Sequence, residues 1–163
     1  MHALRSMPLL SALIGALVAG CAGGQPESTP EAPAPYRPRA EVAADSTLPS
    51  DVVDVTWQWI SFTSPVERIT VDAPDRYTIR FERTGRVALR ADCNRGMAGY
   101  SAGADSRIAF QPIGLTRMLC PEGSLSGRFV KEVGRANSYF LKDGDLFLEL
   151  PVDSGTLRFR RQA

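Results

Sequence analysis

Asp92-Cys93-Asn94-Arg95-Gly96 opens, and Leu115-Thr116-Arg117-Met118-Leu119-Cys120-Pro121 closes, the stretch around which this chain is organised. Apolar alternation and glycine-bearing turns lie between the two cysteines, so the pair reads as a disulfide, Cys93–Cys120, closing a β-hairpin-like unit. A closed loop of about 28 residues contributes roughly 3–4 kcal/mol in the loop-entropy account. That is a large share of the roughly 5–15 kcal/mol that holds a domain folded.

Upstream, Val53, Val55, Trp57 and Trp59 alternate with polar residues, and Ile60 and Phe62 switch the parity. A half-buried strand with a bulge near Ile60 is expected, both tryptophans serving the core. Tyr77, Ile79 and Phe81 alternate in turn, Thr84-Gly85 makes a tight turn, and Val87, Leu89, Ala91 and Cys93 resume the pattern. That parity places Cys93 on the inner face. Gly96, Gly99 and Gly103 punctuate what reads as a glycine-rich loop over 95–106, before a strand through Ile108 and Phe110.

Downstream, Pro121-Glu122-Gly123-Ser124 reads as a helix start capped by Ser124 or Gly123. Leu125, Phe129, Val130, Val133 and Ala136 share one face of the helix. Asp143-Gly144-Asp145 turns a hairpin between 138–141 and 146–150, and Asp153-Ser154-Gly155 leads into a last strand at 156–161. The fold class expected is mainly β (α+β): a curved antiparallel sheet or small open barrel of about seven strands, with one amphipathic helix over an opening.

Residues 1–20 carry Arg5 ahead of a short apolar run from Leu9 to Val18, too short to span a bilayer and suited to a signal peptide. Leu17-Val18-Ala19-Gly20-Cys21 resembles the bacterial lipobox, which implies cleavage before Cys21 and lipidation of its thiol. Acyl chains at about 0.8 kcal/mol per buried CH₂ would anchor the mature chain stably. Ala22, rather than aspartate, at the next position resembles the enterobacterial sorting signal for the outer membrane, which is therefore the expected location. Residues 21–50 contain Pro26, Pro30, Pro33, Pro35, Pro38 and Pro49 among small polar residues and read as a disordered tether. Its reach is about 30 Å as a coil and about 75 Å extended. The packed domain is expected over 51–163.

Of the three cysteines, lipidation takes Cys21 and leaves Cys93 and Cys120 as an even pair in an oxidising compartment. Two free thiols or a metal pair are the alternatives. A zinc site would want histidine, and the one histidine, His2, lies in the segment expected to be removed. Without histidine the mature chain has neither a Ser-His-Asp nor a Cys-His arrangement. Removing Arg5 leaves 18 basic and 18 acidic side chains, unlike a nucleic-acid binder. Asp143 and Asp145 resemble a carboxylate pair, but a solvated turn explains them better than general acid-base chemistry, which needs separated environments. No catalytic group, metal or cofactor is therefore expected.

Cys93-Asn94-Arg95, then Gly99-Tyr100, then Thr116-Arg117-Met118-Leu119-Cys120-Pro121 resemble the motifs of the META domain, the HslJ-like family of bacterial lipoproteins. Trp57 or Trp59, Phe129 and Leu146 to Leu148 follow the family order, and the resemblance covers about residues 53–161. Asn94, Arg95, Tyr100, Thr116 and Met118 are the motif residues it carries over. The chain departs from the family at Asp92, where glycine is frequent, at Gly127-Arg128, where a glutamate is usual, and over residues 60–75.

The resemblance implies a non-enzymatic envelope protein, binding or stress-related, held to the membrane by its lipid and facing the periplasm, with an envelope protein or a hydrophobic ligand as partner. The fold is also similar to that of pilotin lipoproteins, which implies a lipid-binding carrier with an apolar cavity lined by Ile108, Phe110, Leu125, Phe129 and Val133. A third reading is an inhibitor of a cell-wall hydrolase, for which the 95–106 loop is the protruding element.

Overall fold

The computed structural model describes residues 48–163; the expected signal segment, Cys21 and most of the tether lie outside the described residues. The elements in chain order are β1 (Thr56–Thr63), β2 (Arg68–Thr70), β3 (Tyr77–Phe81), β4 (Arg86–Ala91), β5 (Asn94–Ala102), β6 (Ile108–Phe110) and β7 (Gly114–Leu115). After them come α1 (Ser126–Arg135), β8 (Ser138–Lys142), β9 (Asp145–Glu149) and β10 (Thr156–Arg161).

The antiparallel sheet runs β6-β5-β4-β3-β1-β10-β9-β8, with β2 added to β1 and β7 to β5. Its two ends meet. Ile108 N donates to Asn137 O at 3.1 Å and Tyr139 N donates to Ser106 O at 2.9 Å. The eight-strand path therefore nearly closes into a barrel, which leaves little free edge. The expected mainly-β fold with one helix is the fold observed. Ten strands replace the expected seven because β5 forms where the sequence reads as a glycine-rich loop, and β2 and β7 are strands of three and two residues, too short to show an alternation.

The parity switch in β1 is a real irregularity: its register against β10 shifts between Trp59 and Ser61. The indole Nε1–H of Trp59 donates to Ser61 O at 2.9 Å and satisfies the carbonyl beside the bulge. Both tryptophans are buried, as are Ile79, Phe81, Val87, Leu89, Leu146, Leu148, Leu157 and Phe159. The core extends further back than residue 51, because Leu48 is buried in it. The ten strands and the helix pack on one continuous hydrophobic core, which is what a domain needs to fold on its own.

The helix is capped one residue after Ser124 and two after Gly123, the two cap positions its sequence suggests. Leu125 occupies the cap position with no side-chain cap bond, and Ser124 Oγ instead accepts from Ser126 N at 3.3 Å. The missing cap is offset by a tertiary contact, since Leu125 N donates to the Tyr77 hydroxyl at 2.9 Å. The helix presents Phe129 and Val133 to the barrel. Phe129 stacks on Trp59 at 5.2 Å and meets Tyr77 edge-on at 5.8 Å, with Phe159 at 6.2 Å.

Candidate functional site

The site grows from a two-residue turn. β4 ends at Ala91, which pairs with Asn94 at the start of β5, so Asp92 and Cys93 form the turn between them. Asp92 has φ +61°, a left-handed conformation that glycine adopts most freely and aspartate tolerates. This breaks the alternation after Ala91. Cys93 therefore sits half-buried on the barrel rim and not on the inner face, where strand parity alone puts it. From the rim it joins Cys120 across a Cα–Cα distance of 5.5 Å.

The Asn94 side chain, buried behind the disulfide, takes the place of a peptide group. Its Oδ1 accepts from Met118 N at 2.8 Å and from the Thr116 hydroxyl at 3.0 Å, while Nδ2 donates to Met118 O at 3.1 Å. The Thr116 hydroxyl oxygen in turn accepts from Arg95 N at 3.0 Å, and Thr116 N donates to Arg95 O at 2.9 Å. Met118 thus has its main chain fixed while its side chain stays exposed, and Leu119 beside it is wholly exposed. Arg95 points outward, with its guanidinium on the carbonyls of Asp92 and Asn94. Tyr100 lies at a distance from this lock: it is buried edge-on against Phe81 at 5.0 Å, and its hydroxyl donates to Glu82 O at 2.9 Å.

Asp92 is buried and receives Arg76 Nε at 2.7 Å on Oδ1. Its Oδ2 has no partner at full hydrogen-bond geometry, although the Ser124 and Tyr77 hydroxyls face the carboxylate. Ser124 foremost, and Arg76 with it, hold the carboxyl below its ordinary range against the opposing effect of burial. Asp92 and Tyr77 together connect the turn, β3 and the start of α1.

A second polar cluster, centred on the helix residue Glu132, is one that the sequence reading missed. Glu132 is buried and its carboxylate lies between Arg128 at 2.8 Å and Arg135 at 2.9 Å. Arg128 also pairs with Glu67, in the β1–β2 connection, and covers the Phe62 ring at 5.0 Å. The i, i+4 and i, i+3 spacings of Arg128, Glu132 and Arg135 are the signal that could have found it.

The five residues expected to line an apolar cavity divide into two groups. Ile108, Phe129 and Val133 are buried, and Phe110 and Leu125 are partly buried against the same core. At Phe129 the space between helix and sheet is occupied by Trp59, Tyr77 and Phe159. A separate open depression of about 440 Å³ lies at the seam of the barrel, lined by Ser101, Ala102, Ile108, Ala109 and Asn137 among others. The 95–106 segment is not a protruding loop: most of it is β5, the nine-residue strand Asn94–Ala102. Asp145 is not solvated either, because it is buried against Arg158 at 2.6 Å. Among the described residues no group of three or more His, Cys, Asp or Glu side chains could hold a metal ion, and no helix is long and apolar enough to cross a membrane.

A disulfide turn, a buried asparagine and a Thr-x-Met-x-Cys segment occur here in one structural unit, and the family profile of the META domain matches residues 50–163. This chain belongs to the META domain family. Among solved structures the META chain is similar to a protein from Burkholderia xenovorans, with 22% identity and a TM-score of 0.57, over 86% of this chain and 99% of that one. A second solved structure shares 18% identity with a TM-score of 0.52, over 69% of this chain and 93% of the other. A DUF4847 family protein from Bacteroides vulgatus, at 14% identity and a TM-score of 0.49, covers 76% of this chain and 98% of its own. No curated protein matches. The likeness to the first two structures extends to the fold alone.

Proposed function

We propose that this META domain protein is a non-enzymatic, lipid-anchored binding module of the bacterial envelope, tethered through Cys21 to the outer membrane and facing the periplasm. The observation that carries the reading is the Cys93–Cys120 disulfide, closed across a chain separation of 27 residues and backed by Asn94. Such a cross-link persists in oxidising compartments and is rare where thiols are kept reduced. The lipobox-like Leu17-Val18-Ala19-Gly20-Cys21 supplies the route of export and the anchor. What the lock holds in place is a rim segment with Met118 and Leu119 exposed, an arrangement suited to contact rather than chemistry.

Expression of the full chain in a bacterium, followed by membrane fractionation and intact mass measurement, tests this. The expected product starts at Cys21, carries acyl chains and sediments with membranes, and Cys21→Ser abolishes both properties. A soluble product that retains residues 1–20, or a membrane-bound product without acyl mass, would contradict it.

A further inference from the structure

The outer face of the sheet beside the disulfide carries arginines without acidic partners. Register places Arg90 directly opposite Arg95, and Ala88 opposite Met97, on the adjacent strands β4 and β5. Arg86 follows on the same face, its guanidinium on the Met97 sulfur at 3.4 Å. Among the described residues no carboxylate pairs with Arg86, Arg90, Arg95 or Arg117, whereas Arg76, Arg128, Arg135 and Arg158 each face one. Arg90 Nε is moreover buried with no acceptor.

Like charges directly opposite on neighbouring strands destabilise a sheet, and an unpaired buried donor adds a further cost. Stability does not account for this face. The chain as a whole has nearly balanced charge, so the clustering is local. The row continues into the rim segment, because Thr116 pairs with Arg95 and Asn94 fixes Met118. Exposed apolar groups then lie with the cations: Leu119 is 100% exposed, Met118 63% and Met97 43%.

We infer that this face binds an anionic membrane surface, with Arg86, Arg90, Arg95 and Arg117 on lipid phosphates and Leu119 and Met118 entering the interfacial layer. A soluble acidic partner would satisfy the arginines. It would not explain a fully exposed leucine next to Met118, whose main chain a buried asparagine fixes, whereas cations flanking exposed apolar side chains are the pattern of interfacial binding. The inference concerns the folded domain itself and holds with or without the lipid on Cys21.

The test is sedimentation of residues 48–163 with vesicles of phosphatidylethanolamine containing about a quarter phosphatidylglycerol, against pure phosphatidylcholine, in about 0.05 M and about 0.5 M salt. Binding is expected to the anionic vesicles at low salt, falling steeply at high salt, with none to phosphatidylcholine. Arg90→Gln with Arg95→Gln should weaken it about 20–30-fold at roughly fivefold per cation. Leu119→Ser, at a position where folding is not at stake, should weaken it about fivefold or more. Absence of binding at low salt overturns the inference, as does binding unchanged by Leu119→Ser. So does equal affinity for soluble polyphosphate, which would make the face a polyanion site. Circular dichroism melts of each variant confirm that the fold is kept.

Discussion

Asn94 accepts from the main-chain N–H of Met118 and donates to its C=O, at 2.8 and 3.1 Å, so one side chain replaces a strand partner at the rim of the barrel. Removing it takes the partner from both backbone groups and the acceptor from the Thr116 hydroxyl beside the disulfide. Asn94→Ala is expected to lower stability by about 2–4 kcal/mol, counting roughly 1–3 kcal/mol for buried groups left unpaired and the rest for lost hydrogen bonds. Asn94→Asp should be at least as harmful, since a carboxylate cannot donate to Met118 O. Urea unfolding midpoints of the two variants check this.

The disulfide and the asparagine restrain the same segment by different means. Replacement of Cys93 and Cys120 together by alanine should cost about 3–4 kcal/mol through the unfolded chain. The barrel should nevertheless still fold, because Asn94, Thr116 and Arg95 hold the rim segment without it. Denaturant melts with and without reductant, and of the double variant, measure the difference.

Asp92 predicts an acid limb in the stability profile. Its folded pKa is depressed, by Ser124 first and by Arg76, so its contribution is fully present above the unfolded-state value of about 3.9. That contribution is lost as pH falls through the lower folded value. Stability should therefore drop as pH is taken below about 4. Asp92→Asn should be less stable at neutral pH and show a flatter profile at low pH. Unfolding midpoints of the two proteins across the acid range decide it.

Two glycines should respond in opposite directions to the same substitution. Gly155 has φ +154°, and a Cβ there would lie 2.4 Å from the Phe62 ring. Gly155→Ala is expected to cost about 1–3 kcal/mol. Gly127 lies in the first turn of α1, and a Cβ added to it would have nothing within 4 Å. Gly127→Ala should stabilise the domain by about 0.5–1 kcal/mol. Thermal melts of both variants report the sign.

Much of the fold is legible in the sequence because period-2 alternation is strong in β1, β3, β4 and β10, and the bulge shows as a parity change at Ile60. β5 is hidden by its own packing. Three of its inward positions, Gly96, Ala98 and Ala102, are small, and a Cβ on Gly96 would meet the Leu115 side chain at 3.0 Å and Ile113 at 3.3 Å. A strand that must admit close neighbours reads as a turn-rich loop. Parity puts Cys93 on the wrong face because alternation does not survive a left-handed residue, and Asp92 is that residue. Asn94 and Thr116 are legible as turn-bonding side chains, but a bond to a segment more than 20 residues away is not visible in spacing.

The departures from the family pattern also acquire a physical meaning. Asp92 takes the left-handed turn position where the family often has glycine, and Arg76 pairs with the carboxylate this introduces. Arg128 stands in the stretch where the helix lacks the usual glutamate, and its partner Glu67 lies within residues 60–75, the other divergent stretch. The two departures meet in one ion pair over Phe62.

The motif around the two cysteines is, above all, a lock that fixes the Met118 main chain at the rim. Amide hydrogen exchange at Met118, in the oxidised wild type and in Asn94→Ala, tests this most directly. The expected result is a protected Met118 amide in the wild type that becomes rapidly exchanging in the variant while the core strands β3 and β4 remain protected. A Met118 amide that exchanges freely in the wild type, or stays protected after Asn94→Ala, would contradict it.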